Sequence, residues 1–550
     1  MHSLSLLPPR GDKARKFALF LLMLGPVLCG VLAMQLGQDA NWDLRNYHWY
    51  NAYALLNGRH GYDILPSQTP FFYSPMLDVP VYLLGQRMPA EWLGFTLGLV
   101  QGLNFCLLFM IAHALLVVPK SARKVLVAAA LAALGMLGGG GIAQLGTTFN
   151  DNLVSIGLLT SLALILRALP YLLRWEAKQA IRAVFLYGMP LGLALGLKLT
   201  LLCFCIGMVL AWFGTGGSWS RRFMLAFAFG CGLTLGMLLT QGYWMWFLWK
   251  HYNNPIFPYF NQIFASPYGA LTSARDTQFI PGGWLDTLLF PWNFTLNPKR
   301  AGEIVWQDWR ILALYLLLPL CSLIAVIVGR RNDKSQLVAE PLGTRYCLWF
   351  AAISYGVWLL LFSIYRYLIP LEMLAPLLLV LTLGLLPLPP STKWLVAAAL
   401  LVVIAVGVRS GNWGRVAFSQ RFIEVLAPPV PHPEETMLLM AGFEPYAHIL
   451  PSFEPIMPVV RIQSNFASPR EGEKGINRVI ADRIALHTGR FILLIPDWQV
   501  PYGGVVQEGL SAFQLQFDPK ACVLFPDNLG YRYALCAVTR LTANPPTRSR

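Results

Sequence analysis

Apolar blocks about as long as a bilayer is thick recur along this chain, the first at residues 17–37 and the last at 394–408. A helix rises 1.5 Å per residue, so about 20 apolar residues carry it across the hydrocarbon layer. Of the 550 residues, 56% are hydrophobic and only 13% are charged, where a soluble domain carries roughly 25%. The expected fold class is an all-α polytopic membrane protein. The formal net charge of +15 does not point to nucleic acid. The Lys and Arg sit mostly in short loops between apolar blocks, which is the signal that sets membrane orientation.

That signal orders the chain. The basic start, MHSLSLLPPRGDKARK, is expected in the cytoplasm. Its first apolar block is long for a signal peptide, and many more blocks follow. Further spans are expected at 92–118, 125–146 and 153–173. The next block, 183–213, is either one tilted helix or two short helices turning near GLKLT. Two passes put the loops with Arg221 and Arg222, Arg330 and Arg331, and Lys393 all inside; one pass puts them outside. Two passes are therefore expected, with Lys198 at the external turn. Later spans are expected at 223–248, 309–328, 346–365, 368–386 and 394–408. The total is about eleven, with the amino terminus inside and the carboxy terminus outside.

Residues 1–410 thus form a membrane module with external loops at 38–91 and 250–308. The tail, 411–550, follows a Pro-rich linker, PPVPHP. Its short apolar runs FILLIP, ACVLF and YALCAV alternate with a helical stretch, GINRVIADRIALH, the pattern of a small α/β domain. It is expected in the periplasm of a bacterial inner-membrane protein. Seven of the nine cysteines lie in spans as small apolar residues. Cys522 and Cys536 lie in the tail, where either a disulfide or two thiols fits the sequence. The chain has no CxxC pair, no HExxH and no GxxxxGK[ST], so no metal site, cofactor or nucleotide-driven step is expected.

The chemistry-bearing residues flank the spans. GQDANWDLRNYHWYNAYALLNG follows the first block and carries Asp39 and Asp43. A carboxylate there can take a proton from an acceptor hydroxyl; a helix cap or interfacial anchor accounts for it equally well. Leu44, Tyr47, Tyr50, Tyr53 and Ala54 recur at helical spacing, so an amphipathic helix lying in the interface is expected. His48 either contacts a sugar or phosphate or simply faces water. Tyr47 and Trp42 either stack on a sugar or anchor the interface. Arg366, in IYRYLIPLE, sits on the external side against the orientation bias, and a guanidinium suits a phosphate. Lys198, inside an apolar run, needs an anion or a carboxylate such as Asp151 or Glu372. Asp151, in TTFNDN, is an acceptor-orienting residue or a cap for the following helix.

The order of these features resembles the GT-C superfamily of integral membrane glycosyltransferases: an acid just after span one, a loop with an interfacial helix, a short acidic turn, a paired-helix region with Lys, and a late RY motif before Pro. The Asp43–Tyr47 spacing, the downstream LLNG and the FFYSP of the same loop are similar to glycosyltransferase family 87, which depends on polyprenol-phosphate sugars. NNPIFPYFNQIFASPY resembles uncharacterised bacterial members. The resemblance covers roughly the first 410 residues, and DLRNYH departs from it by setting Arg and His close to the acid, so substrate identity does not carry over. It implies transfer of a sugar from a polyprenyl-phosphate donor to a lipid- or polysaccharide-linked acceptor at the periplasmic face, with inversion. Asp43 would be the base and Asp39 its rival. Arg366 and Lys198 would hold the donor phosphate, and Asp151, Tyr47 and His48 the acceptor or sugar; two cations serve a monophosphate without a metal. This reading needs Asp43 and the two cations to converge on one pocket. The alternative is a transporter or flippase of a lipid-linked saccharide, although no two matching halves are visible.

Overall fold

The computed structural model describes residues 6–9, 11–272, 274–328, 337–469, 475–501 and 504–541. Arg330 and Arg331, used in the topology argument, lie outside the described residues. Nine helices among the described residues are long and apolar enough to cross a membrane. They are α1 (Lys13–Leu36), α2 (Ala90–Leu115), α4 (Asp151–Leu172), α5 (Ala177–Leu197), α7 (Trp219–Tyr252), α9 (Arg310–Ile327), α10 (Pro341–Leu361), α11 (Tyr365–Leu383) and α12 (Pro390–Gly407). Among the shorter helices are α3 (Ser121–Met136), α6 (Leu202–Ala211) and α8 (Trp284–Leu296). The protein is a multi-pass helical membrane protein with a small sheet domain. The sequence-based count of eleven is reached only if α3 and the segment Leu199–Gly214 also cross.

Two apolar blocks differ in detail from their expected form. The block at 125–146 is not one helix. Helix α3 ends at Met136, the chain turns at Leu137 and Gly138, and a five-residue helix, Gly139–Ala143, follows. Four glycines in a row carry the largest backbone entropy cost, so the turn forms where other groups hold their N–H donors. The block at 183–213 is interrupted at Lys198, whose backbone is extended (φ −149°, ψ 108°). Helices α5 and α7 approach closely through glycines. A Cβ on Gly188 or Gly192 would overlap the carbonyl of Phe229 or Leu233, and one on Gly232 would overlap that of Phe185. Small residues four apart let two helix backbones touch where lipid gives no hydrophobic drive.

The chain divides into two compact units. The helical unit comprises Met1–Leu36, Gly94–Tyr243 and Asp276–Trp413. The second comprises Gly37–Leu93, Trp244–Arg275 and Gly414–Arg550. The sequence places the loops at 38–91 and 250–308 in the membrane module. In the structure the first of them packs with the tail, and the second divides at Asp276. Hydrogen bonds within the second unit explain this. Gln38 and Asp39 pair antiparallel with Val416 and Arg415, and Ile64 bridges Val460. Arg59 binds Asp63 through two nitrogens, at 2.6 and 2.8 Å, and donates to the carbonyls of Pro455 and Met457.

The tail holds a mixed five-stranded sheet of β1 (Thr436–Met440), β2 (Val459–Arg461), β3 (Arg490–Pro496), β4 (Leu515–Pro526) and β5 (Arg532–Arg540). Its order is β2-β1-β3-β5-β4. Strands β2, β1 and β3 run parallel, and β5 is antiparallel to both β3 and β4. Strand β1 is buried throughout, as expected of a central parallel strand. Cys522 and Cys536 face each other across β4 and β5 and form a disulfide.

The helix expected to lie in the membrane interface is instead packed inside the second unit. Leu44–His48 form one π-helical turn that runs into the helix Trp49–Leu56. Asn46, His48 and Asn51 are buried along with Leu44, Trp49, Tyr50 and Tyr53. A helix lying on a bilayer keeps its polar face wet; here that face bonds protein, with Asn51 donating to the Pro70 carbonyl at 2.8 Å.

Candidate functional site

In the helical unit, three of the expected site residues come together. Asp151 is the first residue of α4, where its charge suits the positive helix end; the cap position is Asn150. Lys198 Nζ lies 2.7 Å from Asp151 Oδ1. The break between α5 and α6 puts this ammonium at a helix end rather than along a helix face. Of the two carboxylates weighed for Lys198, Asp151 is the partner and Glu372 is not. Tyr367 links this pair to Arg366: Lys198 Nζ lies 5.8 Å and the Arg366 guanidinium 5.4 Å from its ring centre. Phe149 and Trp413 flank the same guanidinium at 5.1 and 5.7 Å. Two cations from different helix ends thus share one aromatic surface, which a lone topology arginine does not need.

Behind Arg366 lies a polar core that holds the glycine turn. Glu372 accepts from Gly140 N (3.1 Å) and Gly141 N (2.8 Å), and Asp308 accepts from Gly139 N (3.1 Å). Arg310 lies against Asp308 and donates to the Leu137 carbonyl at 2.8 Å. A Cβ on Gly138 would overlap the Glu372 carboxylate and displace it from the Gly140 and Gly141 N–H groups. A small cleft opens beside this core, lined by Gly140, Gln144, Trp306, Tyr365, Arg366 and Trp413. Its cavity volume is about 10 Å³, room for about one water. It is a recess beside the cation cluster and not a sugar pocket. Gln144 is fully buried there, and neither its amide nitrogen nor its oxygen has a partner among the described residues.

The second unit carries the other four. Asp39 accepts from both the backbone N (3.0 Å) and the side-chain amide (2.6 Å) of Asn41. Asn41 in turn accepts from Leu44 N at 2.7 Å and caps the helical turn. Asp43 makes no cap bond; its Oδ2 accepts from the Tyr47 hydroxyl at 3.2 Å. His48 does not face water. It is 5% exposed, with Nδ1 2.8 Å from Asp78 Oδ1. Its Nε2 has no partner among the described residues. A carboxylate on one ring nitrogen fixes the tautomer and leaves the other nitrogen for chemistry. The Tyr47 ring lies 4.1 Å from His48 and edge-on to Tyr73 at 5.5 Å. Trp42 is the exposed aromatic of the group.

Asp78, Gln144, Asp308 and the bonding role of Glu372 did not emerge from sequence reasoning. Glu372 carried a usable signal as an acid within an apolar block, and the run GGGG marked a break. Asp78 and Gln144 carried none. The four expected residues in the second unit and the three in the helical unit belong to different compact bodies. No family model matches this sequence, and no curated protein or solved structure matches it either.

Proposed function

We propose that this protein is a membrane glycosyltransferase that moves a sugar from a polyprenyl-phosphate donor to a lipid- or polysaccharide-linked acceptor. In this reading the chain crosses a bacterial inner membrane about eleven times, in a GT-C-like arrangement with the tail in the periplasm. The supporting observation is the cation cluster, with Lys198 and Arg366 set around Tyr367 and Asp151 against Lys198. Asp43 would take the acceptor hydroxyl proton. The hydroxyl oxygen would then attack the anomeric carbon as its bond to the phosphate oxygen breaks. Arg366 and Lys198 would face the charge left on the polyprenyl phosphate. Asp39 suits the base role less well, because both donors of Asn41 hold its carboxylate. Tyr47 and His48 would line the acceptor side, and Asp151 would set the position of Lys198.

Purified protein incubated with labelled polyprenyl-phosphate sugars tests this. Asp43→Asn should abolish transfer while donor binding and thermal stability persist. A flippase of lipid-linked saccharides would keep its transport in that variant, and that result would replace this reading with the transporter.

A further inference from the structure

The 13-residue helix α8 is too short to cross a bilayer, spanning about 20 Å against about 30 Å of hydrocarbon, yet it exposes a continuous apolar face. Trp284, Leu288, Trp292 and Leu296 recur every four residues along one side, with Leu285 and Leu289 beside them. All six are between 44% and 79% exposed. The opposite side is buried: Phe290 and Phe294 pack on Trp358, and Phe294 lies 5.6 Å from Tyr365 and 6.2 Å from Trp306. A polar edge separates the two faces. Asp286 accepts from Asn293 at 3.2 Å and from Arg300 at 2.6 Å. Helix α8 also continues a lipid-facing surface. Tyr315 of α9 donates to the Leu288 carbonyl at 3.0 Å, and Leu316, Leu320 and Leu323 of the same helix are exposed.

An exposed apolar stripe with two Trp, a polar edge and a membrane-spanning neighbour fits one occupant, the headgroup–acyl boundary of the bilayer. We infer that α8 lies flat in that boundary, its Trp284–Leu296 face among lipid chains and its Phe290–Phe294 face backing the Trp306–Tyr365 wall of the Arg366 cleft. The cleft wall then stands one helix diameter, about 10 Å, from lipid.

The test uses the full chain in phosphatidylcholine–phosphatidylglycerol vesicles, with exposed Cys231 replaced by Ser. A bimane label is placed at Leu288→Cys or Trp292→Cys, and at Gln278→Cys as an exposed reference before the helix. Both helix positions are surface sites, so their substitution leaves the core intact. Lipids brominated on the acyl chain should reduce bimane emission at 288 and 292, whereas aqueous iodide should reduce it only at 278. Iodide quenching at 288 and 292 would overturn the proposal by placing the face in water. Quenching there by neither agent would overturn it by showing that protein, such as a second copy of the chain, covers the face.

Discussion

Removing Lys198 should destabilise the helical unit far more than removing its partner. The Asp151 side chain is 4% exposed, with one oxygen 2.7 Å from Nζ and the other without a partner among the described residues. Lys198→Met leaves that carboxylate buried without its cation, at a cost of about 3–5 kcal/mol. Asp151→Asn leaves an ammonium that is 18% exposed and can turn to water, so its loss is about 1–3 kcal/mol. The double variant strands neither charge and should be more stable than Lys198→Met alone, with a coupling energy of about 2 kcal/mol. The assay is unfolding of the four purified proteins in mixed micelles of rising denaturing-detergent content. Additive losses, or a double variant weaker than both singles, would refute the argument that the pair acts as a unit.

Three further outcomes follow from other parts of the fold. Burial among Phe71, Trp244 and Phe247 lowers His60 to about 4, an effect its contact with the Asn51 carbonyl only partly offsets. The unfolded chain therefore takes up this proton first. Stability should be full above about pH 6.5 and fall by about 3 kcal/mol as pH drops to about 4; unchanged acid sensitivity in His60→Phe would count against this. Reducing Cys522–Cys536, 14 residues apart, should cost about 3 kcal/mol and lower the unfolding temperature, while a Cys522→Ser/Cys536→Ser variant should no longer respond to reductant. Gly192→Ile should force α5 off the Leu233 carbonyl of α7 and cost about 1–3 kcal/mol or more; wild-type detergent resistance in that variant would show that the helices do not touch there.

How much the sequence revealed depended on the range of the interaction. Apolar blocks are local, and the structure places long helices on nearly all of them. The break at Lys198 was also legible, because a charge inside an apolar run must find a partner, and Asp151 was one of the two carboxylates named for it. The glycine turn was not placed, because its donors at Gly140 and Gly141 meet Glu372 more than 200 residues away. The helix after Asp43 has the periodicity of an interfacial helix, and a sequence cannot say whether such a face meets lipid or protein. The sequence leaves His48 open between a ligand contact and water because its partner, Asp78, lies 30 residues on in a stretch with no distinctive spacing. Tail and loop were separated because strands of two residues, Gln38–Asp39 against Arg415–Val416, leave no alternating pattern.

That stitching has a consequence for biogenesis. Gln38 donates to the carbonyl of Phe422, which the ribosome makes 384 residues later. The segment with Asp39 and Asp43 must therefore wait, incompletely paired, while most of the helices are threaded into the bilayer. Its final shape is a late event, completed only when the tail emerges, and a protein cut short before Gly414 would carry Asp39 and Asp43 and lack the strand that pairs with their segment.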